Sequence, residues 1–180
     1  MAPWPTSLMQ CFQLNFNAEE DFYAPYNKLL CTLFPVDTPF IVVPRIYRTT
    51  DSGSSSSVSL EYTVLFVNKP VFVLQVKAPS RFRIISAREE ADTQLRRRIR
   101  DLVSSAAIPT LHAVSAFGTR LCFYSIQEGS SIAPLSVIPD PDLLVETVPS
   151  DRWDCDLLDD DGAIRLKEVV NKIRNQCENL

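Results

Sequence analysis

Val71-Phe72-Val73-Leu74-Gln75-Val76-Lys77-Ala78-Pro79 is an apolar run that ends in two polar side chains. Its β-branched and aromatic residues are typical of a buried strand. Successive side chains of a strand point to opposite faces, so Gln75 and Lys77 emerge on the same face near the strand's carboxyl end. The sequence therefore predicts an amide beside an amine on one rigid element. The alternative is that Lys77 only marks where the strand reaches water.

The composition predicts one compact domain. The chain has 180 residues, of which 46% are hydrophobic, and this is enough for one sizeable core. We predict a single domain over residues 1–180, with a core over about 18–127, an acidic connector over 134–161 and a C-terminal helix over 162–177. The net charge of -4 argues against a protein that coats nucleic acid by charge alone, but it leaves a local basic groove open.

The cysteines and the amino terminus indicate in which cellular compartment the protein is expected. The five cysteines are scattered and none belongs to a Cys-x-x-Cys pair, which favours a reducing compartment over a disulfide framework or a zinc site. The amino terminus lacks the pattern of a secretory signal, and no apolar run approaches the ~20 residues of a membrane span. We therefore expect an intracellular protein, cytoplasmic or nuclear, with no membrane partner.

Hydrophobic patterns predict the order helix, three strands, helix, two strands, helix. The predicted ranges are 18–33, 40–47, 58–67, 71–77, 86–106, 111–117, 120–127 and 162–177.

Several local features refine this order. Asn17 is predicted to cap the first helix, and Ser86 with Glu89 to form a capping box on the second. Turns are predicted over 68–70 and at Gly118-Thr119, where a tight hairpin uses glycine. The serine-rich segment 51–57 is predicted to be a flexible loop, and 134–144 an extended segment.

This order, with a three-stranded meander whose last strand ends in a polar-x-Lys pair, resembles the PD-(D/E)XK nuclease superfamily over roughly residues 19–126. The resemblance implies an α/β fold of the α+β type, in which a mixed sheet forms a restriction-endonuclease-like core. The segments 69–80 and 114–124, with Gln94 between them, look like uncharacterised fungal members of the superfamily, and 149–153 is similar to theirs as well. Those proteins more often carry Glu-x-Lys.

The resemblance also implies a catalytic set. Mapped residue by residue, Gln75 takes the (D/E) position, Lys77 is the lysine, and Glu61 is the acid on the preceding strand. These three would be catalytic, and Glu61 with Gln75 would hold Mg²⁺ or Mn²⁺ for phosphodiester hydrolysis. Further acids for the metal would come from Glu19 or Glu20 on the first helix, or from Asp51.

Gln75 departs from the superfamily pattern. An amide oxygen can coordinate Mg²⁺ but brings no negative charge to it, so weaker metal binding is expected. Two hypotheses follow: a metal-dependent nuclease, and an inactive nuclease-fold domain that acts as a protein- or DNA-binding module. For Glu61, the alternative is a solvent-facing strand residue.

The helix after the motif carries the predicted substrate contacts. In related nucleases a glutamine in this helix supports the site or the substrate, and Gln94 takes that position, with Arg98 one turn further on. We expect Gln94, Arg98 and Arg81 to bind nucleic acid, since guanidinium groups suit bidentate phosphate contacts. The alternative is a solvated face of ion pairs, because the densest basic cluster shares this helix with acids. The cluster consists of Arg96, Arg97, Arg98 and Arg100.

The remaining features bear on partners. The acids between Asp140 and Asp161 would repel a phosphate backbone, so nucleic acid should avoid that surface. The only histidine, His112, lies in an apolar strand and is predicted to be a packing residue rather than a base. A homodimer or a protein partner stays open, since many members of the superfamily are dimers.

Overall fold

The computed structural model describes residues 3–13, 17–50, 56–137 and 146–180. Their backbone forms a six-stranded mixed sheet in which the strands lie in sequence order. Neighbouring strands are antiparallel except for the third and fourth, which are parallel. The strands are β1 Phe40–Thr50, β2 Ser56–Phe66, β3 Lys69–Lys77, β4 Thr110–Phe117, β5 Arg120–Gln127 and β6 Cys155–Asp156.

Helices cover both faces of the sheet. Parallel β3 and β4 need a crossover connection, and the longest part of it is a helix packed on one face. The other helices pack on the opposite face, so one hydrophobic cluster lies on each side of the sheet. The helices are α1 Thr6–Cys11, α2 Tyr23–Leu33, α3 Ile85–Val103, which makes the crossover, and α4 Asp160–Glu178. The predicted mixed α/β fold with a C-terminal helix is confirmed.

Strand β3 is a central strand of the sheet, and its side chains pack into the hydrophobic clusters on both faces. Every residue from Pro70 to Lys77 is buried, which explains the continuous apolar run. Leu74 and Val76 pack in the cluster under α1, α2 and α4, whereas Val73 packs under α3. Since side chains alternate along a strand, Gln75 and Lys77 share the α3 face with Val73.

A two-residue turn fixes the pairing of β2 with β3. The turn consists of Val67 and Asn68, with φ of 47° and 62°, and both belong to the left-handed region. Lys69 and Pro70 already belong to β3, so the predicted turn over 68–70 begins one residue too late. A β-bulge between Val64 and Leu65 then shifts the register by one residue and places Glu61 directly opposite Gln75.

Both predicted helix caps are wrong. The first long helix begins only at Tyr23, after a 3-10 turn over Glu20–Phe22, and the Asp21 carboxylate accepts the backbone N–H of Asn17 at 3.0 Å. Helix α3 begins at Ile85, one residue before Ser86, and no side chain caps it. The predicted capping box therefore does not form.

Other differences lie at the ends of the chain and in its loops. Helix α1 and the short strand β6 were not predicted. Residues 134–137 form no strand, while 138–144 of the predicted extended segment and 51–55 of the predicted loop lie outside the described residues. The hairpin turn at Gly118-Thr119 is confirmed, with a φ of 61° at Gly118. No helix of the described residues is both long and apolar enough to cross a bilayer.

The turn between β2 and β3 generates a stability prediction. Val67 is 66% exposed and holds a left-handed conformation that is costly for a β-branched residue, whereas asparagine adopts it readily. We expect Val67→Asn to raise the free energy of unfolding by about 1 kcal/mol, measured by urea denaturation. Val36→Asn is the control, because Val36 is also exposed but is not among the residues with positive φ. Equal effects of the two substitutions would contradict the prediction.

Candidate functional site

The predicted residues meet in a cleft between α3 and the β1–β2–β3 part of the sheet. The cleft has a volume of about 370 Å³. Residues of β1, β2 and β3 that lie opposite one another across the strands, on the face covered by α3, line its floor. The lining residues are Tyr47, Ser59, Glu61, Gln75, Gln94, Arg97, Arg98 and Asp101.

Lys77 lies beneath this cleft and is only 2% exposed. Its Nζ donates hydrogen bonds to Ser59 Oγ at 2.7 Å and to Gln94 Oε1 at 3.0 Å. Burial lowers the pKa of the amine, although the nearby charges of Glu19 and Glu90 act in the opposite direction. None of the ion pairs among the described residues includes Lys77. The lysine is therefore held by neutral oxygens.

Gln75 has hydrogen-bond partners for both ends of its amide. Its Nε2 donates to Gln94 Oε1 at 3.3 Å, and its Oε1 accepts from Ser115 Oγ at 3.2 Å. Gln94 in turn donates through Nε2 to Glu90 Oε1 at 2.9 Å. The Gln75 side chain, at 4% exposed, therefore belongs to a hydrogen-bond network that links it through Gln94 to Lys77 and Glu90.

Glu61 is neutralised by an arginine. Its Oε1 accepts from Arg98 Nε at 2.9 Å, and the two side chains are 10% and 22% exposed. Thr63 Oγ1 also donates a hydrogen bond to this oxygen, at 3.4 Å. A partly desolvated, charge-assisted pair of this kind is much stronger than an exposed one. Glu61 is therefore not the solvent-facing residue of the alternative interpretation.

The other predicted ligands lie away from the cleft lining. Glu19 is buried at the carboxyl end of β3, where its Oε1 accepts the Ala78 N–H at 3.3 Å, and burial raises the pKa of its carboxyl. Glu20 is exposed. Arg81 pairs with Glu90 at 3.1 Å and does not line the cleft. Asp51 lies outside the described residues.

The donor set does not fit a magnesium centre. Mg²⁺ is usually bound through one or two carboxylates, with water and substrate phosphate completing an octahedron. The cleft lining holds two carboxylates: Glu61, whose charge Arg98 already offsets, and Asp101, which lies on α3 and not on the strands with Gln75. In the described parts of the chain, no three His, Cys, Asp or Glu side chains are grouped so that they could hold a metal ion.

The basic cluster of α3 divides into two kinds of residue. Arg96 is buried, pairs with Asp92 at 2.7 Å and donates to Pro134 O at 2.7 Å, so its role is structural. Arg97 and Arg100 are exposed, and neither takes part in an ion pair with another described residue. The predicted face of ion pairs therefore accounts for Arg96 and Arg98 but leaves two guanidinium groups open to solvent.

Sequence analysis missed two residues of the network, Ser59 and Ser115. Ser59 lies two positions before Glu61 on β2, so strand alternation alone would have placed the two on one face. Ser115 lies beside Gln75 only because β3 and β4 pair in parallel with this register. No local signal in the sequence specifies that register.

The chain matches no protein-family model, no curated protein and no solved structure.

The buried lysine generates a pH prediction. Because burial lowers the pKa of Lys77 below the ordinary 10.5, there is a pH window below that value in which the unfolded chain binds a proton that the folded chain does not. The contribution of Lys77 to the free energy of unfolding then rises with pH across this window, against the opposite contribution of the buried cysteines and tyrosines, whose pKa values burial raises. Lys77→Met should lack this rise, as shown by urea denaturation at about pH 7 and about pH 10.

Lys172→Met is the matched control, because Lys172 is exposed on α4. It should retain the slope of the wild type. If Lys77→Met and the wild type had the same dependence on pH, the lysine would not be perturbed by burial.

Proposed function

We propose that this chain is a restriction-endonuclease-like domain whose cleft binds nucleic acid without cutting it. The support for the fold assignment is the order of helix, three antiparallel strands, crossover helix and parallel strand. The polar-x-Lys pair lies at the carboxyl end of β3, and an acid faces it from β2. Fold alone does not decide activity, so function depends on the residues of the cleft and their chemistry.

One observation carries the loss of cutting. The Arg98 guanidinium offsets the charge of Glu61, the carboxylate directly opposite Gln75, and the Gln75 amide already donates to Gln94 and accepts from Ser115. A divalent ion would have to share the Glu61 carboxylate with a guanidinium and would gain only a neutral oxygen from Gln75. The residues present therefore favour binding over metal-assisted hydrolysis.

The rim of the cleft favours a nucleic acid as ligand. Arg97 is an exposed cation on α3, and Arg45 is an exposed cation on β1 directly opposite Glu61. Tyr47 is 41% exposed and offers an aromatic face to the same cleft. Arginines that contact phosphates and an aromatic ring that stacks on a base are the usual elements of single-strand recognition.

Charge is segregated across the sheet in a way that suits this ligand. The acids of the C-terminal region gather at the β6 edge, whereas the cleft lies toward the β1 edge. A phosphate backbone in the cleft would thus lie away from the strongest repulsion. The acids that line the pocket at β6 are Asp154, Asp156, Asp159 and Asp161.

A metal-dependent nuclease is the second candidate. The observation that favours it is the convergence of Glu61, Gln75 and Lys77 with Gln94 at one place. In that case Gln75 would be a neutral ligand, and the metal ion would share the Glu61 carboxylate with Arg98.

The first experiment measures binding and cutting by the same preparation. Fluorescein-labelled single-stranded DNA, duplex DNA and RNA are titrated by anisotropy over a range of salt concentrations. We expect binding that weakens with salt, and we expect Arg97→Gln to lower the slope of log K against log salt by about one, as the loss of one phosphate contact does. Lys172→Gln, on the opposite face of the sheet, should leave the slope unchanged.

The same oligonucleotides are incubated with Mg²⁺ or Mn²⁺ and analysed for cleavage. We expect none. Metal-dependent cleavage that disappears in Lys77→Ala would overturn the proposal in favour of the nuclease. Absence of binding to all three nucleic acids would overturn the choice of ligand and direct attention to protein partners.

A further inference from the structure

We infer that the guanidinium of Arg98 takes the place of a divalent metal ion in this cleft and, with Gln75, excludes the metal. The inference rests on the proposed restriction-endonuclease-like assignment of the cleft. It assigns Arg98 a second role, since the residue is then both the counter-ion of Glu61 and the cation that faces the ligand.

The position of Arg98 follows from the fold. Helix α3 crosses the face of the sheet that carries Glu61 and Gln75, and Arg98 follows Gln94 by one helical turn. Gln94 contacts Gln75 and Lys77, and Arg98 reaches the neighbouring strand and contacts Glu61. The cation therefore lies on the acid that the superfamily pattern assigns to the metal.

Charge balance connects Arg98 with Gln75. A divalent ion in a partly dry cleft is balanced by two carboxylates, whereas a single guanidinium is balanced by one. Here the guanidinium of Arg98 pairs with the carboxylate of Glu61, and the position opposite Glu61 on β3 carries the neutral amide of Gln75. The cation at Arg98 and the neutral amide at Gln75 compensate each other. Glu61 then needs no further positive charge, and Gln75 leaves no unpaired charge in a buried position.

The guanidinium also has free donors. Its Nε is used by Glu61, and no hydrogen bond from its Nη atoms to a described residue is seen. Arg98 lines the cleft, so these donors are in reach of a ligand held there. Two parallel N–H donors match the oxygens of a phosphate group, which is the chemistry a metal ion would otherwise provide.

The inference makes a prediction about combined substitutions. Gln75→Glu adds a carboxylate, but Arg98 remains to pair with it, so the single variant should not become a metal site. Arg98→Gln frees Glu61 but leaves one carboxylate. Only Gln75→Glu with Arg98→Gln provides two facing carboxylates, on β2 and β3, without the guanidinium that pairs with Glu61.

The test is a titration of Mn²⁺ in the absence of nucleic acid, followed by electron paramagnetic resonance of the free ion. The double variant should bind Mn²⁺ roughly 10- to 100-fold more tightly than either single variant or the wild type. The matched control is Gln75→Glu with Arg97→Gln, which removes the same charge from a neighbouring position that does not contact Glu61. The control should bind as weakly as Gln75→Glu alone.

Two outcomes would overturn the inference: tight Mn²⁺ binding by the wild type or by Gln75→Glu alone, and equal binding by the double variant and the control. If circular dichroism shows that the double variant is unfolded, Gln75→Glu with Arg98→Met replaces it, since methionine retains the apolar packing of the stem. The titration contains no nucleic acid, so its result is independent of the binding and cleavage assays that test the proposed function.

Discussion

The structure depends on how polar side chains are accommodated between the sheet and α3. Lys77, at 2% exposed, and Gln75, at 4%, lie under a helix that also has to bury Leu95 and Ile99. Polar groups in such a position are costly unless each has a partner. Ser59, Gln94 and Ser115 are the partners of Lys77 and Gln75, and they come from β2, α3 and β4. Arg98 on α3 is the partner of Glu61. The crossover from β3 to β4 is therefore what completes the site.

The sequence specified the elements better than their contacts. The apolar run of β3 and the amphipathic pattern of α3 are local signals, and strand alternation correctly placed Gln75 beside Lys77. The adjacency of Glu61 needed the turn at Val67 and Asn68 together with the β-bulge between Val64 and Leu65. That of Ser115 needed the pairing of two strands far apart in the chain. Local sequence does not contain either. The two predicted caps, at Asn17 and at Ser86, failed because the helices begin at Tyr23 and Ile85, positions that no side chain caps.

The arginines of α3 show how similar residues take different roles within one turn of helix. Arg96 is buried and holds the far side of the helix through Asp92 and Pro134, whereas Arg97 is exposed to solvent at the cleft. Arg98 points toward the sheet and pairs with Glu61. A basic run in the sequence predicted only a phosphate contact or an ion-paired face. The structure separates these functions by position, because neighbouring residues on a helix point about 100° apart.

The central claim is that the charges of this cleft are balanced without a metal ion. Anomalous diffraction from crystals of the wild-type protein soaked in Mn²⁺ tests it directly. The account predicts no anomalous peak between Glu61 and Gln75, with Arg98 Nε retained about 2.9 Å from Glu61 Oε1. A Mn²⁺ peak at that position, with Arg98 rotated away from the carboxylate, would contradict it.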